Sequence, residues 1–319
     1  MNLALLASRD HRRVLYAILA AVLLFVVGDI VRPGFASVQG IESVLVLASF
    51  VGFVAAGQMF VILIGGIDLS VPWVLNAAAI LLVTSTHGLN ARLALGLVET
   101  LGMGVLVGVT NGIGAGVFGV PAVVMTLAMN GIMEGLTLGL SGGMTCEACA
   151  SYAPPLVQQV VHSHLLGVPA VLYVWLLAAI VVSLVLAFTT FGRATYAVGN
   201  NALVSYLAGL RVTAVTIALY GLSGFFSALA GVMLVGFGGQ AALGMGDPYL
   251  FQSIAAVVIG GVYILGGRGG YIGTAAGAIT LVALVSVLLA MNMPDYGRSI
   301  VYGLIILVLL LAYGREQKE

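Results

Sequence analysis

The hydrophobic positions of the chain fall into long runs, separated by short segments that hold most of the polar residues. A membrane-spanning helix needs about 20 consecutive apolar residues. Runs that reach or approach this length are 14–31, 42–64, 70–87, 93–115, 121–140, 168–190, 212–237, 250–266, 270–291 and 297–314. The pattern predicts an all-α polytopic membrane protein with about ten transmembrane helices, some of them interrupted by glycine.

A glycine break lies between the second and third runs. It contains Gly65 and Gly66, the carboxylate of Asp68 and the hydroxyl of Ser70. A charged side chain beside lipid costs about 2.5–3.5 kcal/mol, and irregular backbone at membrane depth is tolerated only inside protein or beside a cavity. The break therefore predicts a polar interior and a gate or hinge; the alternative is that Asp68 only caps a helix end.

Composition and charge support a membrane protein. Hydrophobic residues make up 61% of the chain and charged residues 7%, whereas a soluble domain is about 25% charged. No polar stretch is long enough to fold alone, so residues 1–319 are expected to form one transmembrane domain. The net charge of zero provides no basic surface for nucleic acid. The first run lacks a small-residue cleavage site and is expected to remain as an anchor.

The basic residues predict the orientation, because cytoplasmic loops carry more arginine and lysine than external ones. With ten helices and a cytoplasmic N-terminus, the outer side holds Arg32, Arg92 and Arg298. The inner side holds Arg9, Arg12, Arg13, Arg193, Arg211, Arg268, Arg315 and Lys318. Both termini and the segment 192–211 are therefore expected in the cytoplasm, and the loop 141–167 outside. Asp68 is then expected near the cytoplasmic end of the second helix.

Polar side chains on the second to fifth helices mark a candidate pathway: Gln58, Asn76, Asn111, Asn130 and Glu134. The last two are four residues apart and lie on one helical face. These groups either line a polar route or bond across helices and hold the bundle together.

The segment 192–211 predicts a short amphipathic helix of about two turns. Asn200 or Asn201 can cap it, and Gly209 can end it in a left-handed turn. Its apolar face consists of Leu203, Tyr206 and Leu207. Such a helix either lies on the membrane surface or docks in a groove of a partner.

Five motifs occur in order along the chain: Gly65-Gly66-Ile67-Asp68-Leu69-Ser70-Val71, Gly104-x-x-x-Gly108-x-x-Asn111-Gly112, Pro121-x-x-x-x-Thr126-Leu127, Ala197-x-Gly199-x-Asn201 running to Ala208-Gly209, and Gly260-Gly261 with Gly266-Gly267-x-Gly269-x-x-x-Gly273-Thr274. With these motifs the chain resembles the membrane subunits of ribose-, xylose- and galactose-type ATP-binding-cassette importers. One departure is Pro72, which stands near a position where that family usually has glycine and stiffens the start of the third helix.

The resemblance implies a permease of the bacterial inner membrane that moves a pentose or hexose by alternating access. It implies three partners: a cytoplasmic ATPase, a periplasmic sugar-binding protein, and a second permease copy that is identical or paralogous. The ATPase would engage Gly199, Asn201, Leu203, Tyr206, Leu207 and Gly209. No cofactor is expected in this chain, and ATP and Mg would bind the partner. A phosphate-binding loop reads Gly-x-x-x-x-Gly-Lys-Ser/Thr, and the only lysine, Lys318, does not stand in such a motif.

Other functions remain open at this point. A nucleoside or an autoinducer-like solute is the alternative cargo for the same type of importer. A secondary transporter would also have broken helices and polar groups in the membrane. A membrane thiol oxidoreductase could use Cys146 and Cys149, which lie in the outer loop. For that pair a local disulfide is the first interpretation; free thiols, a redox site or a zinc site with His162 and His164 are the others.

Overall fold

The computed structural model describes residues 3–143 and 152–315. These residues form thirteen α-helices, a two-stranded hairpin and a 3-10 turn at Asn90–Arg92. In chain order the elements are α1 (Leu3–Val31), α2 (Val38–Ile62), α3 (Val71–Thr86), α4 (Leu93–Gly116), α5 (Ala122–Ser141), α6 (Pro155–His162), β1 (His164–Leu165), β2 (Val168–Pro169), α7 (Ala170–Phe188), α8 (Thr190–Asn200), α9 (Ala202–Leu207), α10 (Val212–Gly238), α11 (Tyr249–Ile259), α12 (Tyr271–Ala290) and α13 (Asp295–Arg315).

Each of the ten predicted runs contains a helix, so the all-α membrane architecture is confirmed. Seven helices within the described residues are long and apolar enough to cross a membrane, and α3 and α11 are apolar but shorter. The number of crossings and the side of each terminus stay predictions.

Two boundaries differ from the sequence prediction. The run 250–266 ends as a helix at Ile259, because the glycines that follow adopt left-handed backbone at positions 261, 266, 267 and 269. The segment 192–211 contains two helices, α8 and α9, instead of one short helix. Asn201 separates them: its extended backbone interrupts the helix, and its side chain caps α9 by accepting from Val204 N at 3.0 Å.

The centre of the bundle is α2, which is buried from Ala48 to Leu63. Apart from Ser49 and Gln58, this buried stretch is apolar on every side, as expected for a helix surrounded by protein. Trp175 on α7 donates to the Tyr271 hydroxyl on α12 at 2.9 Å, and Tyr271 donates to Gly52 O on α2 at 2.8 Å. These two bonds join three helices deep in the core. By contrast, α1 and α7 expose many large apolar side chains, which suits a lipid-facing surface.

Small residues bring α4 and α10 together. A Cβ atom added to Gly104 would overlap the backbone of Gly224, and one added to Gly108 would overlap the backbone of Tyr220 and Gly221. This close approach shows that the Gly-x-x-x-Gly spacing in α4 serves helix packing. It also fixes where α10 lies relative to the break between α2 and α3.

Gly108→Ala is expected to destabilise the protein, whereas Gly102→Ala on the same helix is not. The added methyl of Gly108→Ala meets backbone that cannot move away, and overpacking of this kind costs about 1–3 kcal/mol. No atom lies within 4 Å of a Cβ added at Gly102. Thermal unfolding of the two variants in detergent checks the difference. Equal melting temperatures would contradict the packing role of Gly108.

The outer-loop residues that the structure describes form α6 and the β1–β2 hairpin. His164 Nε2 contacts Glu42 Oε1 at 2.5 Å, and His162 Nε2 lies 3.1 Å from Phe237 O. The predicted pair Cys146 and Cys149 lies outside the described residues. Within the described residues, which include both histidines, no group of three His, Cys, Asp or Glu side chains is placed to hold a metal.

Candidate functional site

The break between α2 and α3 is a short non-helical segment held against the rest of the bundle. After Ile62 the chain turns at Gly65, whose φ of +77° favours glycine. A Cβ atom on Gly66 would come within 2.6 Å of the Tyr220 hydroxyl. Leu63 O accepts a bond of 2.8 Å from Gly267 N, so the end of α2 is tied to the glycine-rich segment after α11.

The carboxylate of Asp68 organises this segment. Asp68 is 1% exposed, and its Oδ1 accepts from Ser70 N at 3.0 Å and from Ser70 Oγ at 2.6 Å. Its Oδ2 accepts from Ser223 Oγ on α10 at 2.7 Å. Ser223 can reach it because Gly57 on α2 lets the Ser223 backbone come close. Asp68 therefore shapes the turn before α3 and bonds it to α10.

Three more polar side chains hold the same segment. The side-chain amide of Gln58 is oriented so that its donor faces an acceptor and its acceptor faces a donor. In this orientation it donates to Asp68 O at 3.1 Å and accepts from Asp68 N at 3.2 Å. Asn111 Nδ2 donates to Ser70 Oγ at 2.9 Å. Thr126 Oγ1 on α5 accepts from Leu69 N at 3.0 Å. The break is thus bonded to α2, α4, α5 and α10.

Gln58 and Asn111 are fully buried within this network. The structure places them in contact with the break rather than beside an open cavity, and their predicted part in the solute pathway stays a prediction. The predicted hinge residue Pro72 occupies the first turn of α3, and its backbone packs against Gly246. The gate or hinge role of Gly65, Gly66, Asp68, Ser70 and Pro72 likewise stays a prediction.

Asn76 is also buried, but it belongs to a different contact. In the orientation that satisfies its amide, it donates to Ala242 O at 2.9 Å and accepts from Gly244 N at 2.7 Å. Asn76 therefore fixes the segment 239–248, between α10 and α11, onto α3.

Asn130 and Glu134 lie on α5 and are partly exposed. The helix is positioned by Met129 and Met133, which pack in a cluster that includes Trp73 on α3. Glu134 lies close enough to Asp247 for their two carboxylates to repel each other. Of the five predicted pathway residues, these two are the ones that the structure leaves accessible.

Sequence reasoning missed two residues. Ser223 belongs to the hydrogen-bond network of the break, and Asp247 lies near Glu134. Ser223 carries no signal in the sequence, since one serine among the small residues of α10 looks like any helix-packing residue. Asp247 did carry a signal: it is a carboxylate just after the glycine-rich segment 238–246, the same combination that marks Asp68.

The candidate coupling surface consists of Leu203, Tyr206 and Leu207 on α9. These side chains are 67%, 68% and 75% exposed. Gly209 ends the helix with a φ of +86°, as predicted.

The helix before this surface is anchored at the end of α2. Gly199 packs against the backbone of Leu63 and Gly267, and Asn200 Nδ2 donates to Gly267 O at 3.3 Å. Tyr196 Oη donates to Gly269 O at 2.8 Å. A displacement of α9 would thus be transmitted through α8 to the residues that adjoin the break.

Comparison with known proteins identifies the family. Residues 40–310 match the family described as branched-chain amino acid transport system / permease component. The chain is 33% identical over 306 residues to the autoinducer 2 import system permease protein LsrC of Escherichia coli (strain K12 / DH10B), which covers 96% of this chain and 88% of the relative. It is 31% identical over 294 residues to the ribose import permease protein RbsC of Haemophilus influenzae, covering 92% and 91%. No solved structure matches the chain. Since the family match and both similarities extend over most of its length, the chain belongs to this family of transport-system permease components.

Proposed function

We propose that this chain is the transmembrane subunit of an ATP-driven importer for a small polyhydroxylated solute, in the first place a monosaccharide. The observation that carries the proposal is the similarity to import permeases for ribose and for autoinducer 2 over more than 90% of the chain. As a member of the permease family with several apolar helices, it is a multi-pass protein of the bacterial inner membrane.

The polar groups on α5 support a hydroxylated cargo. The amide of Asn130 can donate and accept, and the carboxylate of Glu134 accepts from hydroxyl groups. Within the described residues, Asn130 Oδ1 is buried without a hydrogen-bond partner, so it would bond a solute hydroxyl only in a state of the transport cycle that exposes it. Weak contacts of this kind suit a channel that must release its cargo.

The remaining subunits are inferred from the family and from α9. A cytoplasmic ATPase would bind the exposed apolar side chains of α9, a periplasmic binding protein would deliver the solute, and a second copy of the permease, identical or paralogous, would complete the pathway. ATP-driven closure of the ATPase would move α9 and α8. That movement would reach the break through Leu63 and Gly267, which are bonded to each other.

The cargo has two leading candidates. Ribose-type sugars are supported by the relative from Haemophilus influenzae, and an autoinducer 2-type solute by the relatives from Escherichia coli. The two identities differ by too little to choose between them. Uptake of D-ribose and of autoinducer 2 by the same reconstituted complex separates the two candidates.

Glu134→Ala is expected to lower solute uptake about tenfold while the protein still inserts and binds its partners, since a lost hydrogen bond to a charged group is worth about 1.5–3 kcal/mol. The measurement is ATP-dependent uptake into proteoliposomes that contain the whole complex. Asp29→Ala is the control, because Asp29 is an exposed carboxylate at the end of α1.

Three results would count against this picture. Unchanged uptake by Glu134→Ala refutes its place in the pathway. Uptake by the wild-type chain without any ATPase identifies a secondary transporter. Failure of the wild-type complex to import any sugar or autoinducer refutes the proposed cargo class.

A further inference from the structure

The segment 239–248 does not simply join two helices at the surface. Gly231 on α10 packs against Leu75 of α3, and α10 then continues for two turns to Gly238. Gly246 is nevertheless back beside Pro72 in the first turn of α3. The chain has therefore returned into the bundle, past the level at which α10 met α3. Asn76 holds it there through Ala242 and Gly244.

Such a re-entrant segment needs a particular environment. Irregular backbone at membrane depth occurs where protein buries it or where it lines a water-filled cavity. Asp247 lies at the inner end of the segment and is exposed. An exposed carboxylate at that depth indicates a cavity, since the cost of placing it against lipid is high.

A cavity of about 670 Å³ adjoins this carboxylate. It is bounded by α10, α11, α12 and α13, and its lining includes Asp247, Phe251, Gln252, Arg298, Ser299 and Tyr302. Gln252 Nε2 donates to Tyr302 Oη at 3.1 Å, which joins α11 to α13 across the cavity. The lining combines a carboxylate, an amide, a guanidinium group and hydroxyls with an aromatic ring.

The cavity reaches the end of the bundle that is expected outside. Its wall includes Phe237 and Gly238 at the last turn of α10, and Phe237 O contacts His162 of the outer loop. The same wall includes Asp247, whose carboxylate is near enough to Glu134 on α5 for the two negative charges to repel each other. The cavity wall thus extends from the outer end of the bundle to the neighbour of Glu134.

We propose that this cavity, which we call the entry site, receives the polyhydroxylated solute from the outer side, and that Asp247 at its inner end determines which solutes pass on to Glu134. The entry site rests on the proposed function and adds a binding site to it. Hydroxyl groups donate to Asp247 and accept from Arg298 and Gln252, while the exposed ring of Phe251 offers a surface for the apolar face of a sugar.

Cysteine labelling tests whether the entry site is open to water and to solute. Ser299→Cys is made in a background with Cys146→Ser and Cys149→Ser, and the complex in proteoliposomes is treated with a membrane-impermeant maleimide. Labelling is expected, and D-ribose at saturating concentration is expected to slow it several-fold. Ser163→Cys, exposed in the outer hairpin region, is the control and is expected to react equally with and without D-ribose.

Uptake tests the role of Asp247. Asp247→Asn is expected to reduce D-ribose uptake about tenfold, because the solute loses one hydrogen bond to a charged group. Copurification of the ATPase is expected to be unchanged. Asp29→Asn serves as the matched carboxylate control, because Asp29 is exposed at the end of α1.

The outcomes separate the two proposals. Wild-type import of D-ribose together with unchanged import by Asp247→Asn overturns the role of Asp247. If the cysteine of Ser299→Cys is not labelled, the entry site alone is overturned. The same holds if the complex imports D-ribose but D-ribose does not slow the labelling. A wild-type complex that imports neither a sugar nor autoinducer 2 refutes the proposed function, and the entry site falls with it.

Discussion

Replacing Asp68 by alanine is expected to leave little stable protein in the membrane. The substitution removes the acceptor for three donors: the Ser70 backbone N–H, the Ser70 hydroxyl and the Ser223 hydroxyl. Each buried donor left without a partner costs about 1–3 kcal/mol, and water cannot replace the carboxylate at a position that is 1% exposed. Together these losses approach the whole stability of a typical domain, about 5–15 kcal/mol.

Asp29→Ala is the matched control for this substitution. The Asp29 carboxylate also accepts from two backbone N–H groups, those of Gly34 and Ala36, but it is exposed. Water can bond to both N–H groups after the substitution, so the loss is expected to be small. The fraction of each variant that remains monodisperse after heating, measured by fluorescence-detected size-exclusion chromatography, checks the prediction. Similar heat resistance of both variants would contradict the role assigned to Asp68.

Asp68→Asn separates hydrogen bonding from charge at the same position. The asparagine keeps one oxygen for Ser70, and its amide can donate to the Ser223 hydroxyl, which accepts as well as donates. Stability close to that of the wild type is therefore expected. A stable Asp68→Asn variant that no longer transports would show that the negative charge acts in the transport cycle, beyond its part in shaping the turn.

The helices were predictable from the sequence because the membrane imposes a simple requirement. A run of about 20 apolar residues has few alternatives to a helix, and proline and glycine at the run edges indicate its ends. The failures occurred where tertiary contacts decide the backbone. The run 250–266 is mostly apolar, yet its last residues are not helical, since Gly267 bonds to Leu63 across the bundle.

The candidate site was predictable in part for the same reason. Polar residues in apolar helices are conspicuous, so Gln58, Asn76 and Asn111 were found by inspection. Their partners were not, because Ser223 is 155 residues from Asp68 in the chain and only the packing of α10 against α2 brings them together. The return of the segment 239–248 into the bundle was also missed, since a glycine-rich stretch between two apolar runs looks like an ordinary surface loop.

The double substitution Tyr206→Asp and Leu207→Asp is expected to abolish both ATPase binding and transport. Both side chains are exposed on α9, at 68% and 75%, and large apolar residues of this kind are typical anchors of an interface. A carboxylate in the groove that receives them would be buried without a partner, which is among the most unfavourable changes an interface can undergo. Since Leu203 alone would remain of the coupling surface, little binding energy is left to oppose that cost.

The control is Leu165→Asp with Leu166→Asp. These two leucines are 57% and 92% exposed at the β1–β2 hairpin, at the end of the bundle that is expected to face away from the ATPase. The two double variants carry the same added charge, so general effects on folding or solubility should be equal. Copurification of the ATPase and ATP-dependent uptake are then compared. If the α9 variant retains wild-type copurification and uptake, the ATPase binds another surface. Movement of the ATPase would then not reach the break through α9, Gly199 and Leu63. If copurification persists but uptake is lost, α9 transmits motion without providing the main binding energy. Its function then depends on the contact between α8 and the end of α2.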